Sequence, residues 1–159
     1  DVLAKGVDPE TGALTQYYGS QSLDSANLLA EHYGFLGADD PVYVNTVTET
    51  YNRLCVDGLT YRYRDRDDFG KPQSSFTVCT FWMIKALYRI GRRDEARELF
   101  EKTLTYSNHV GLFSEDIDVD SKRLLGNFPQ GYSHLALIDA AMTLSNVPEW
   151  FQQEDTFQR

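Results

Sequence analysis

Cysteine is scarce in this chain: 159 residues contain two, Cys55 and Cys79. With no CxxC pair and no histidine cluster beside either thiol, a disulfide framework and a zinc site are excluded, and both read as buried thiols. Long apolar runs are missing as well. No stretch approaches the roughly 20 residues that cross a bilayer, and Asp1-Val2-Leu3-Ala4-Lys5 is not a signal peptide, so the expected setting is cytoplasmic, with no membrane partner. Basic charge is the third shortage. Fifteen Lys and Arg stand against 24 Asp and Glu, a net charge of −9, which opposes capture of nucleic acid or anionic lipid and favours a neutral ligand.

Aromatic residues, by contrast, are plentiful: ten Tyr, nine Phe and two Trp. Such rings fill a core or stack on flat ligand faces. The length and the 42% hydrophobic content suit one globular core.

From Ser22 the pattern is helical, because Leu23, Ala26, Leu29, Ala30 and Tyr33 share one face, and Gly34 offers a stop. A second helix starts at Asp40-Pro41, where Asp caps and Pro suits the first turn, and runs through Val44, Val47, Tyr51 and Leu54 to Asp57-Gly58. Leu59 to Gln73 reads as a short extended segment and a loop. Its Arg62, Arg64 and Arg66 alternate with Tyr61, Tyr63 and Asp65, a face that pairs with carboxylates and carries no catalytic role.

A third helix runs from Ser74 or Ser75 through Phe76, Cys79, Trp82, Met83 and Leu87 to a tight joint at Gly91; a fourth follows from Asp94 to Tyr106. Ser107 to Gln130 has no sustained helical period and collects Gly111, Glu115, Gly126, Asn127 and Pro129, the composition of a long, function-bearing loop. A fifth helix, about Tyr132 to Leu144, has Leu135, Ile138, Ala141 and Met142 for its buried side. About five helices and almost no strand give an all-α class built from helical hairpins.

Two functional readings compete. Ala86 to Phe100 looks like part of a tetratricopeptide repeat, which would make the chain a non-catalytic protein-binding module. Such arrays need at least about three copies at a period of about 34 residues, and the flanking segments do not repeat the pattern. The other reading is hydrolytic. Glycosidase chemistry needs two carboxyl groups astride the scissile bond, and Gly111-Leu112-Phe113-Ser114-Glu115-Asp116-Ile117-Asp118 is an acidic cluster framed by apolar residues. On charge alone that loop also suits a solvated acidic surface or an oxygen-lined calcium site.

The surrounding motifs decide between them. Phe76-Thr77-Val78-Cys79-Thr80-Phe81-Trp82, Gly91-Arg92-Arg93-Asp94-Glu95-Ala96, Gly111 to Asp116, Gly126-Asn127-Phe128-Pro129-Gln130 and Tyr132-Ser133-His134 resemble, in order and spacing, successive motifs of glycoside hydrolase family 15, the glucoamylases and trehalases. The similarity runs from about Gln16 to Ser145. It implies that residues 1–159 are the C-terminal portion of a catalytic domain, part of an (α/α)6 toroid, with 146–159 a peripheral tail. It implies inverting hydrolysis of α-glucosides, glucoamylase-like and without a cofactor or metal, on a maltodextrin, trehalose or other glucoside.

Carried over, the resemblance makes Glu115 the general base. No stretch of this sequence matches the family's general acid, so the chain is expected to be inactive alone. Gln130, Tyr132, Trp82, Phe81, His134 and Tyr18 are the expected substrate contacts; Asp24 reads as a helix cap. A partial toroid would also leave apolar helix faces open, so either self-association or a poorly stable monomer is expected.

Overall fold

The computed structural model describes residues 1–68 and 70–145, so the expected peripheral tail lies outside the described residues. In chain order the elements are α1 (Val2–Lys5), a 3-10 turn (Ser25–Leu29), α2 (Pro41–Leu54), β1 (Cys55–Val56), β2 (Leu59–Thr60), β3 (Ser75–Phe76), α3 (Thr77–Arg89), α4 (Arg93–Leu104), β4 (Asp116–Ile117), β5 (Leu124–Leu125) and α5 (Gly131–Leu144). The class is all-α, as expected.

The central element is α3. Eleven of its thirteen residues are buried, which is why its sequence is apolar nearly all round and not on one stripe. Both α4 and α5 pack on it, as do α2 and the 3-10 turn. Val78, Met83, Ile84 and Leu87 are fully buried, each contributing about 1.5–3 kcal/mol of hydrophobic stabilisation. The one buried charge on α3, Lys85, donates to Asp139 Oδ2 on α5 at 2.7 Å and meets His32 Nδ1 at 2.9 Å, so its desolvation is offset by a carboxylate and a second polar partner.

The joint between α3 and α4 is set by Gly91 at φ +89. Arg92 N–H donates to Leu87 O at 2.9 Å and Gly91 N–H to Tyr88 O at 3.1 Å, the paired bonds of a Schellman motif, which favours glycine at its left-handed position. At the start of α2, Asp40 accepts from Val42 N–H at 2.8 Å, with Pro41 in the first turn.

Three sequence expectations are corrected. The helix expected over 22–33 is only a 3-10 turn, and Tyr33 is 75% exposed. Its polar groups bond to distant backbone instead: Ser25 Oγ to Tyr61 O at 2.7 Å, Asn27 Nδ2 to Thr15 O at 3.1 Å, with Ser25 N–H on Arg62 O. Asp57-Gly58 does not end α2. Both residues have positive φ, 51 and 81, and they form the two-residue loop of the β1–β2 hairpin. On α5 the buried side is Ser133, Ala136, Ala140 and Leu144, whereas Leu135 and Ile138 are 67% and 54% exposed. Small residues let α5 approach α3 closely, and the larger ones face outward.

The expected loop of 107–130 carries β4 and β5, which pair antiparallel with each other and with β3 in the order β3-β4-β5. This small sheet lies at the N-terminus of α3 and carries the acidic cluster. Cys55 and Cys79 are both free thiols, Cys79 buried and Cys55 partly exposed. No helix among the described residues is long and apolar enough to cross a membrane.

Candidate active site

Glu115 is fixed from both sides before its carboxylate is considered. Its N–H donates to Asn127 O and its carbonyl accepts from Thr77 N–H, each at 2.9 Å; the Thr77 bond extends the β3–β4 pairing by one residue. The two preceding residues are anchors. Phe113 is 1% exposed, with its ring edge-on to Phe81 at 5.4 Å; Ser114 is fully buried, and its carbonyl accepts from Ser133 Oγ at 2.9 Å. A carboxylate on a backbone this constrained keeps its position without substrate to hold it.

The carboxylate itself is gripped by one residue. Glu115 Oε2 accepts from Asn127 N–H at 3.1 Å and from Asn127 Nδ2 at 2.8 Å. Gly126 makes the approach possible: a Cβ there would lie 3.0 Å from Oε2 and 3.1 Å from Glu115 Cβ, and its φ is +72. Among the described residues Oε1 takes no protein hydrogen bond, so it is the oxygen available to a water.

Glu115 and Asp116 line an open cavity of 490 Å³, facing Arg62, Tyr63, Asp67 and Gln73, with Phe76 in its wall. Asp116 Oδ2 accepts from Ser74 Oγ at 2.7 Å. Burial pushes the Asp116 carboxyl above its ordinary pKa, the neighbouring Glu115 charge pushes the same way, and the Ser74 hydroxyl opposes them. Asp67 accepts from Tyr63 Oη at 2.6 Å on the same wall. Polar hydrogen-bonding groups beside a ring are what a neutral, hydroxyl-rich ligand needs.

None of the six expected substrate contacts lines this cavity among the described residues. Trp82 and Tyr132 meet edge-to-face at 5.9 Å, and Tyr132 is half exposed, its phenol pKa raised chiefly by partial burial. Phe81 is 1% exposed between Phe100 and Phe113 and serves the core. Tyr18 lines a separate apolar groove with Tyr17, Tyr33 and Phe35. Gln130 caps α5, its Oε1 accepting from Tyr132 N–H at 3.4 Å. His134 contacts backbone: Nε2 accepts from Phe113 N–H at 3.2 Å and Nδ1 meets Gln130 O at 2.7 Å. Asp24 caps the 3-10 turn, accepting from Ala26 N–H at 2.8 Å, and pairs with Arg62 at 3.3 Å. Among the described residues no three His, Cys, Asp or Glu side chains gather as a metal site.

Sequence reasoning missed Asn127, the residue that holds Glu115, and the cavity positions of Arg62, Tyr63 and Ser74. For Asn127 a signal existed: a glycine directly before an amide residue, in a loop already carrying the acidic cluster.

A scaffold of helical hairpins that presents a fixed carboxylate to a polar cavity suits one half of a glycoside hydrolase site. The model of the glycosyl hydrolases family 15 matches residues 1–142, and the chain belongs to that family. The chain is 42% identical to a trehalase of Thermoplasma volcanium over 92% of its length, 43% identical to one of Mycolicibacterium smegmatis over 94%, and 40% identical to one of Mycobacterium tuberculosis over 99%. It spans only about a quarter of each relative's length, 23–24%.

Among solved structures, a wild-type glycosidase superposes with a TM-score of 0.77 at 21% identity, covering 92% of this chain and 42% of that one. A variant glycosidase in complex with glucose gives 0.76, with the same coverage. Helical hairpins of the six-hairpin glycosidase type are therefore the fold, and the tetratricopeptide alternative is set aside by a family match that runs through the α3–α4 hairpin and both its flanks.

Proposed function

We propose that this chain supplies the water-activating side of an inverting glycoside hydrolase site, within a longer polypeptide that cleaves trehalose. The observation that carries the proposal is the posture of Glu115. One carboxylate oxygen is held by two N–H groups of Asn127 and the other is left for a water at the cavity. As general base, Glu115 takes a proton from that water while the oxygen attacks the anomeric carbon and the glycosidic bond to the leaving sugar breaks. An acid roughly 6.5–9.5 Å away protonates the leaving oxygen in such a mechanism; we assign it to the remainder of the polypeptide, which makes the isolated chain inactive. Toroid closure by that remainder belongs to the same proposal.

The trehalases among the relatives favour trehalose over the maltodextrins that the sequence resemblance left open. Product stereochemistry tests the reading. Inversion at one of trehalose's two α-anomeric carbons releases one β-glucose and one α-glucose, so proton NMR at early times is expected to give equal amounts. Release of α-glucose alone would mean retention and contradict the assignment of Glu115.

A further inference from the structure

The role assigned to Glu115 requires that its strand stay in place. The first turn of α5, and His134 in particular, is built to keep it there. His134 Nε2 accepts from Phe113 N–H at 3.2 Å, its Nδ1 reaches Gln130 O at 2.7 Å, and Gln130 N–H returns to Phe113 O at 3.0 Å. These three bonds close a ring linking the backbone two residues before Glu115 to the start of α5. The imidazole and the Phe113 ring meet in a T-shaped contact, their centroids 6.2 Å apart.

The bonding fixes the chemistry of the ring. Nε2 accepts from an N–H and is therefore unprotonated, while Nδ1 faces a carbonyl and carries the proton, so His134 serves as a neutral imidazole of one tautomer. Phe113 is 1% exposed, and its N–H has no other acceptor among the described residues, so losing Nε2 leaves a buried donor unpaired. Loosened at Phe113, the segment loses its grip on the Glu115 backbone, although the Asn127 bonds to the carboxylate survive.

We propose that His134 is a positioning residue for the Glu115 base, acting through the Phe113 backbone, and not a substrate contact. The proposal rests on Glu115 as the base, and the test separates the two. In the full-length polypeptide, His134→Gln places an amide oxygen where Nε2 stood, whereas His134→Asn reaches only as far as Nδ1. Since misplacement of a catalytic group by about 1 Å can cost about 100-fold, kcat for trehalose is expected to fall about 30- to 100-fold in the Asn variant, to stay within about threefold in the Gln variant, and KM to hold in both. Amide exchange across 111–116 is expected to rise in the Asn variant only.

Equal kcat in the two variants, whether both active or both dead, overturns the proposal; a raised KM with kcat kept marks a substrate contact and overturns it as well. Glu115→Gln is measured alongside. If that variant keeps its activity, the general-base reading fails, and the exchange difference across 111–116 still decides whether His134 holds the segment.

Discussion

Asn127 donates twice, through its backbone N–H at 3.1 Å and its Nδ2 at 2.8 Å, to a single oxygen of Glu115. A charge-assisted pair of this kind orients the carboxylate more narrowly than either bond alone. Asn127→Ala in the full-length polypeptide is expected to lower kcat about 10- to 100-fold with KM little changed. Steady-state kinetics on trehalose checks it, and a rise in KM alone would assign Asn127 to substrate binding.

The Asn127 grip on Glu115 leaves no room at position 126 for a side chain larger than that of glycine. Alanine there would place Cβ 3.0 Å from Glu115 Oε2 at a φ of +72, so Gly126→Ala is expected to destabilise by about 1–3 kcal/mol and to reduce activity together with stability. Thermal unfolding and kinetics on the same preparation test the coupling; a stable, fully active alanine variant would show that the carboxylate has room to shift.

Acid sensitivity has an identifiable source at the β1–β2 turn. Lys102 and Lys122 each lie 2.5 Å from Asp57 and hold its carboxyl down from 3.8 to about 2. A depressed folded-state pKa gives stability that is complete above the unfolded value and is lost as the pH falls from about 3.8 toward about 2. The drop in urea midpoint between pH 5 and pH 2.5 is expected to shrink in Asp57→Asn and to shrink in high salt. Identical drops in the two proteins would remove Asp57 from the account.

Leu135 and Ile138 stand exposed on α5 at 67% and 54%. A face of this kind on an isolated chain favours association, so light scattering is expected to find the chain self-associated, and Leu135→Lys with Ile138→Lys to return it to a monomer. A monodisperse wild-type monomer contradicts this.

Much of this was legible in the sequence, for reasons that differ from element to element. Asp40-Pro41 and Gly91 marked helix ends because capping and left-handed conformation are local chemistry. The 3-10 turn was misjudged as a helix because Ser25 and Asn27 spend their hydrogen bonds on Tyr61 and Thr15, partners that no periodicity encodes. The α5 face was misassigned because α3 accepts small side chains from it, Ala136 and Ala140, in place of its larger ones. Glu115 was found through its motif, whereas Asn127, twelve residues on, becomes its partner only once β4 and β5 fold back together.

The most direct test of the central claim is trehalose hydrolysis by the full-length polypeptide with Glu115 and with Gln in its place, compared as kcat at saturating substrate. A glutamine cannot take the proton from water, and the account predicts a loss of about 100- to 10,000-fold with KM nearly unchanged, the range of general-base catalysis. A Glu115→Gln enzyme within about tenfold of the wild type would leave the base elsewhere, and the geometry built around Glu115 without a catalytic purpose.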